Sequence, residues 1–388
     1  MNRAILNTQV QKFIKKYKGS ITKLALSGSP FPNISNLELI QQIESRNAIE
    51  KKLPTWFTAQ HIYYPPKLNL EQTSSEMTAK YKASLVHGAT IADLTAGFGV
   101  DGYYFSKNFA EVSCYEINRG LSEISRHNFK TLQIENISCF AENGLDGIQG
   151  NFYDVIYMDP SRRHDSKGRV FYLKDCEPNV TENIPFLFKH CKTILLKTSP
   201  MLDITQGFKE LSNVSEVHIV AVGNDVKEVL WILKEDANES PQIKTLNFSI
   251  HGVETFNFEW TNIGSAQYSS PKQFLYSPNG ALMKSGAYAL ISEKFELYKL
   301  HKNTHLYTSD TLKEFPGRRF RIDRVVSYSK KDMKRLVQYD KANIATRNFP
   351  ESVAVIRKKW RIKEGGDTYL FFVTIENDQK VVLVCSKE

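Results

Sequence analysis

The stretch Ile91–Asp101, IADLTAGFGVD, decides how this chain is read. The short apolar run Thr90–Leu94 carries an acid, Asp93, near its end and gives way to a glycine loop. A helix is expected after the loop, over Asp101–Phe109. Strand, carboxylate, glycine-rich turn and helix in that order make a cradle for a nucleotide. Gly97 and Gly99 let the backbone pass close to a ligand with no Cβ in the way. Asp93 sets a negative charge beside the loop. That charge repels a pyrophosphate and suits the cationic sulfonium and ammonium of S-adenosylmethionine.

The loop alone leaves two readings open, because Gly97, Gly99 and Gly102 also spell the G-x-G-x-x-G of a dinucleotide site. The residues that follow discriminate. A second apolar run, Glu111–Ile117, carries Glu116, a carboxylate able to grip a ribose diol in either cofactor type. A third, Ile137–Ala141, runs into Glu142 and Asn143. A fourth, Phe152–Met158, runs into Asp159–Pro160–Ser161–Arg162–Arg163, and a fifth, Thr193–Lys197, into Thr198–Ser199–Pro200. Helical stretches are expected between them at Arg119–Thr131, Asn179–His190 and Met201–Leu211. Two last runs, Val214–Val222 and Glu228–Lys234, flank the short Gly223–Lys227. That connection is too short for a helical crossover, so an antiparallel hairpin is expected.

Five strands alternating with helices and closed by a hairpin resemble a class I S-adenosylmethionine-dependent methyltransferase. The resemblance implies an α/β, Rossmann-like sheet of seven strands. It implies cofactor contacts at Asp93, Thr95, Gly97 and Gly99, a ribose contact at Glu116, and an adenine-flanking loop at Glu142 and Asn143. It also implies a reaction centre at Asp159–Pro160. A dinucleotide dehydrogenase accounts for neither the Asp-Pro motif nor the hairpin. Arg162 and Arg163 are candidates to bind a phosphate or stack on a base. Amino-methylating nucleic-acid enzymes usually show D/N-P-P-Y/F/W here. This chain has neither the second proline nor the aromatic residue, which argues against amino-nitrogen methylation. Pyrimidine C5 methylation needs a cysteine nucleophile. Cys176 is the one candidate, and a passive half-buried thiol is the blander reading.

The chain has 388 residues, enough for two or three domains. No apolar stretch approaches the ~18 residues of a membrane span. The N-terminus, MNRAILNTQVQKFIKKY, lacks the apolar core of a signal peptide. It reads as an amphipathic helix with Val10, Phe13, Ile14 and Tyr17 on one face, and packing onto its own domain is preferred to membrane binding. Five scattered cysteines form no C-x-x-C pair, so no disulfide framework, zinc or other metal site is expected, and a cytoplasmic location is. Charge is segregated: residues 1–85 carry a net +7, residues 86–240 a net −7 and residues 241–388 a net +9. An acidic middle suits a cationic cofactor, and basic flanks suit a polyanion.

The expected domains are an N-terminal helical region (1–86), the methyltransferase domain (87–238), linker strands with a ferredoxin-like module (241–315) and a mixed α/β module (316–388). Asn36 is read as the cap of a helix to Lys52, and Ser74 or Ser75 as the cap of one through Val86. That second helix would cover the cofactor mouth, with Gln72 as a contact. Further on, Asn279–Leu290 through Phe295–Leu300 reads as helix, Lys313–Ser327 as a turn and a basic strand, and Tyr369–Ile375 with Lys380–Cys385 as a hairpin. The phrases YSPNGALMKSGAY, LHKNTHLYTSD, FPGRRFRI, ATRNFPESVAVIRKKW and KEGGDTYLFF, with EQTSSEMTAKYKA and YMDPSRRH upstream, resemble bacterial class I methyltransferases with a C-terminal THUMP-like domain. That resemblance covers residues 70–388. It implies a structured RNA partner, transfer or ribosomal, whereas charge alone implies only a polyanion. Candidate RNA contacts are Arg318, Arg319, Arg321, Arg324, Lys331, Lys334 and Arg335, with Lys358 and Lys359 as a second patch. A methyltransferase of protein or small molecules, and a non-catalytic RNA-binding protein, are the competing readings.

Overall fold

A computed structural model describes residues 1–162, 172–237, 239–336 and 340–388, with the backbone alone described at 162, 335 and 336. Two compact units divide the chain. Met1–Ser215 and Leu230–Asn238 form the first; Glu216–Val229 and Glu239–Glu388 form the second.

In the first unit the strands are β1 (Thr90–Asp93), β2 (Glu111–Tyr115), β3 (Ile137–Phe140), β4 (Tyr153–Met158) and β5 (Cys191–Thr198). All pair in parallel, in the order β5-β4-β1-β2-β3. The chain leaves β1 for β2 on one side and later returns to β4 on the other. This reversal opens a crevice at the carboxyl ends of β1 and β4, where α/β sheets bind ligands. Central β4 is buried along nearly its whole length, while edge strand β3 is half exposed.

The N-terminal helices, among them Thr8–Lys16, Asn36–Ala48 and Pro54–Thr58, bury Ile5, Val10, Ile14, Leu39, Ile43 and Trp56. Phe98 and Val100, from the glycine loop and the helix after it, share that core, and the Trp56 and Phe98 ring centroids lie 6.1 Å apart. The region expected only as a helical prelude therefore buttresses the loop. Ser35, not Asn36, caps the helix Asn36–Ala48. Its hydroxyl accepts from Glu38 N, and the Glu38 carboxylate accepts from Ser35 N. Ser75 caps Glu76–Leu85. The helix expected at Asp101–Phe109 runs instead from Val100 to Phe105, starting directly from a left-handed Gly99.

The expected hairpin is β6 (Val214–Val222) and β7 (Asp225–Lys234). Its turn is only Gly223–Asn224, with φ of 59° and 72°. Two positive φ values match the twist of a tight hairpin, so the strands extend further than composition suggested. Residues 230–234 of β7 flank β5 in the first unit. In the second unit, β8 (Gln242–Ser249) runs parallel to β6, and β9 (Gly252–Glu259) returns antiparallel to β8. The expected linker strands thus join the hairpin, β8 beside β6 and β9 beside β8.

An eight-stranded sheet fills the rest of the second unit. Its order is Gln267–Tyr268, Tyr298–His301, Thr304–Ser309, Phe274–Pro278, Gly317–Ser327, Lys380–Lys387, Thr368–Thr374 and Asn343–Arg347. The helix expected through 279–300 is two short helices, Gly280–Lys284 and Tyr288–Lys294, and then the strand Tyr298–His301. Gly286, at φ 75°, breaks the helix between them.

Candidate functional site

The glycine loop is held from two sides. The Glu116 carboxylate accepts from Gly97 N at 2.9 Å and from Asn118 N at 2.7 Å. Ser125 Oγ donates to Gly97 O at 2.9 Å. Asp93 accepts from Thr95 N at 3.0 Å, and Thr95 Oγ1 accepts from Asp159 N at 2.7 Å. Two hydrogen-bonded sets therefore meet at the loop, Asp93–Thr95–Asp159 and Gly97–Glu116. The two glycines differ. Gly97 has φ 55°, and a Cβ there would meet nothing nearer than 3.9 Å, so it faces open space. Gly99 has φ 82°, and its Cβ would lie 2.4 Å from the Phe129 ring. Its bare Cα makes room for the Phe129 ring, which comes from the helix Arg119–Thr131.

Asp159 has a partner that sequence reasoning missed: its carboxylate is ion-paired with the Lys197 ammonium. The register accounts for it, since Met158 on β4 pairs with Leu196 on β5 and the next residues are Asp159 and Lys197. A second missed group lies beneath the loop. Lys82, fully buried, pairs with Asp101 at 3.2 Å and donates to Ser74 Oγ at 2.9 Å. Ser74 Oγ (2.8 Å) and the Tyr157 hydroxyl (3.0 Å) both donate to Asp101. Gln72 is exposed at the end of the helix Lys67–Gln72; Ser74, not Gln72, enters this polar set.

Four carboxylates now surround the loop: Asp93, Asp101, Glu116 and Asp159. Burial, with only 1% of Asp93 exposed, pushes its carboxyl well above the ordinary range, and the charges of Asp101, Asp159 and Glu116 add to the shift. Asp101 goes the other way. Burial raises it, but the Lys82 and Lys197 cations and the Ser74 hydroxyl outweigh burial and hold it low. Two of the four are paired with lysines, Asp101 with Lys82 and Asp159 with Lys197, so the site keeps a net excess of acids around the open Gly97.

Glu142 and Asn143 follow β3 and are exposed; Asn143 Oδ1 accepts from Leu145 N and caps the helix Gly144–Gly147. Pro160 is buried directly after Asp159. Ser161–Arg162 pairs antiparallel with Cys176–Glu177. Arg163, and the side chain of Arg162, lie outside the described residues. Cys176 is fully buried, and burial pushes the Cys191 thiol up to about 12. Neither has the environment of a nucleophilic thiolate. Among the described residues no acid, cysteine and histidine cluster is arranged to hold a metal.

In the second unit, Arg319 and Arg321 flank the buried Phe320 on one face of Gly317–Ser327. Arg319 is ion-paired with Glu314 at 2.6 Å, while Arg318, Arg321 and Arg324 are exposed. A register shift between Ile322 and Arg324 turns Arg324 away from simple alternation. Lys331 and Lys334 are exposed on the helix Lys330–Leu336, whereas the side chain of Arg335 lies outside the described residues. Lys358 is exposed; Lys359 is tied to Glu351 at 3.0 Å and lies over the Tyr328 ring. Spacing missed a further cationic group. Lys299, 3% exposed, lies 3.5 Å from His305 Nδ1, and the His305 ring stacks on Tyr288 at 3.6 Å. Burial and the Lys299 and Arg347 cations push His305 down to about 4; burial and Arg318 push Arg347 down.

Comparison with known proteins places these features. Residues 317–387 match the "THUMP domain-like" family and residues 274–316 a "ferredoxin-like domain". The crystal structure of a proposed methyltransferase from Porphyromonas gingivalis W83 is similar at 30% identity and a TM-score of 0.90, over 99% of this chain and 98% of that one. A proposed methyltransferase, yhhF, from Escherichia coli is 20% identical over 42% of this chain and 85% of its own, with a TM-score of 0.31. A proposed RNA methyltransferase, PH1948, from Pyrococcus horikoshii is 17% identical over 49% and 97%, with a TM-score of 0.34. No curated protein matches the chain. The first unit has the fold and crevice of a Rossmann-like class I methyltransferase. The chain belongs to the family of class I methyltransferases that carry a C-terminal THUMP-like domain.

Proposed function

We propose that this chain transfers a methyl group from S-adenosylmethionine to a nucleotide of structured RNA, transfer or ribosomal, in the cytoplasm. The observation that carries the reading is the convergence of Asp93, Glu116 and the Asp159–Lys197 pair on an open Gly97. The donor set fits this cofactor: an excess of acids over lysines stabilises a sulfonium and an ammonium, and Gly97 leaves room for close approach. Asp93, Thr95, Gly97 and Glu116 would hold it, with Glu142 and Asn143 beside the base. The cofactor supplies an activated methyl group, so the protein needs to align the nucleophile and manage one proton. Lys197 fixes the direction of the Asp159 carboxylate, which is the acceptor for a proton or hydrogen bond from the substrate. Pro160 stiffens the turn that carries it, and Arg162 and Arg163 are assigned to substrate phosphate or base. The basic second unit, with Arg318 and Arg321 exposed, supports a polyanionic substrate.

Calorimetry with S-adenosylmethionine, its demethylated product and NAD tests the cofactor. Binding of NAD alone overturns the reading. Mass spectrometry of nucleosides from total RNA, with and without the protein, tests the substrate. Asp159→Asn is expected to lower single-turnover transfer by 10²-fold or more while leaving cofactor affinity within about threefold, since it removes a group acting on the nucleophile. A near-normal rate would make Asp159 structural.

A further inference from the structure

The N-terminal helix Thr8–Lys16 buries Val10 and Ile14, while Phe13, with Tyr17 just beyond the helix, packs half-buried against the same core and keeps part of its ring exposed. Phe13, Tyr17 and Phe31 wall a cleft of about 460 Å³, with Lys12, Lys16 and Lys18 at its edge. The Phe13 and Phe31 rings meet edge to face at 5.4 Å, and Phe13 and Tyr17 lie 5.3 Å apart. The Tyr17 hydroxyl donates to Ser20 O, which fixes the ring at the cleft. Residues 1–37 contain six Lys and Arg and no Asp or Glu. Among the described residues, Lys12, Lys15, Lys16 and Lys18 form no ion pair. Lys12 and Lys16 are like charges one turn apart, an arrangement that costs helix stability. Rings with half-exposed faces and uncompensated ammonium groups beside them make a stacking platform next to a phosphate track.

We propose that this cleft binds an unpaired run of the RNA substrate, with a base against Phe13, Tyr17 and Phe31 and phosphates against Lys12, Lys16 and Lys18. The inference rests on the reading of the substrate as RNA. It gives the first unit its own grip on the nucleic acid, through the same hydrophobic core that supports the glycine loop at Phe98. Single-stranded RNA is favoured over duplex because only unstacked bases offer a face to the rings.

The test uses the full-length protein and fluorescence anisotropy with a labelled oligouridylate of about ten nucleotides, a blunt RNA duplex and phosphatidylglycerol vesicles. Lys12→Gln/Lys16→Gln/Lys18→Gln alters only exposed side chains. It is expected to weaken oligouridylate binding by on the order of tenfold and to lower the salt slope by roughly 0.7 per lost contact. Tyr17→Leu keeps apolar cover over the core but removes the ring, and is expected to weaken oligouridylate roughly 5- to 100-fold at every salt, with less effect on the duplex. Calorimetry with S-adenosylmethionine should give wild-type affinity in both variants, which reports that the first unit is folded. Unchanged oligouridylate affinity in both variants, with wild-type protein binding RNA, overturns the cleft and leaves the RNA reading standing. No RNA binding by the wild type overturns both. Vesicle binding that is lost in the variants while RNA binding persists makes the cleft a membrane contact and also overturns the proposal.

Discussion

Asp93 carries its charge where charge is costly. Buried among three other carboxylates, it titrates above the ordinary carboxyl range in the folded chain. Folding is therefore favoured while Asp93 is protonated. That contribution is lost as the pH rises from the ordinary value of about 4 through the raised folded value. Asp93→Asn keeps the acceptor for Thr95 N and removes the repulsion. The cofactor-free variant is expected to melt a few degrees above wild type at neutral pH, with the gap closing in acid; about 1 kcal/mol corresponds to roughly 2–4 °C in a unit of this size. The same change should weaken S-adenosylmethionine by about 1–3 kcal/mol. Differential scanning fluorimetry with and without ligand checks both, and a variant that is less stable without ligand refutes the account. Lys82 and Asp101 make the opposite case, a buried pair already compensated. Lys82→Met strands Asp101 and should cost about 3–5 kcal/mol in denaturant unfolding, whereas Lys82→Met/Asp101→Asn should recover a good part of that. Asp93 could be singled out from the chain because it adjoins the glycines in sequence. Lys82 could not, because its partner lies on another helix and only folding brings them together.

At the scale of elements, the loop's two glycines do different work and should fail differently. Gly97→Ala places a methyl in open space at a left-handed φ. The expected stability loss is about 1 kcal/mol, with a larger loss of cofactor affinity if the open space at Gly97 is the one proposed for the cofactor. Gly99→Ala drives a methyl into Phe129 at the start of the helix Val100–Phe105. It should cost about 2–4 kcal/mol through strain and overpacking together. Urea unfolding and ligand calorimetry on both variants check the contrast, and equal stability losses would refute it. The alternation of apolar runs and helical stretches was legible because each run is short and bounded by acids, glycine or proline. The pairing of Asp159 with Lys197 was not, since it depends on the register of β4 against β5, and parallel register is invisible in either strand alone. The 279–300 segment misled for a different reason. Its apolar spacing suits a helix throughout, and the break depends on the backbone at Gly286 and on pairing of Tyr298–His301 with Thr304–Ser309.

For the whole molecule, the division of charge is the feature the sequence displayed most openly: an acidic middle and two basic flanks. What composition could not tell is which cations remain available. Arg319 and Lys359 have carboxylate partners, Glu314 and Glu351, while Arg321 is exposed on the same face as Arg319. A cation already neutralised by its own protein releases fewer counterions when it meets a phosphate, and forming that contact first breaks a pair. Arg321→Gln should therefore lower affinity for many RNAs alike and reduce the salt slope by up to roughly 0.9, the value for one phosphate contact on a duplex. Arg319→Gln should change the slope by clearly less, because an arginine already paired with Glu314 contributes little to counterion release on binding. Filter binding of the full-length protein to transfer RNA across a range of salt concentrations measures both slopes. If Arg319→Gln moves the slope as much as Arg321→Gln does, the ion pair with Glu314 does not persist in solution. If neither moves it, RNA does not run along this strand. The grip would then have to lie with exposed cations elsewhere in the second unit, such as Lys331, Lys334 and Lys358.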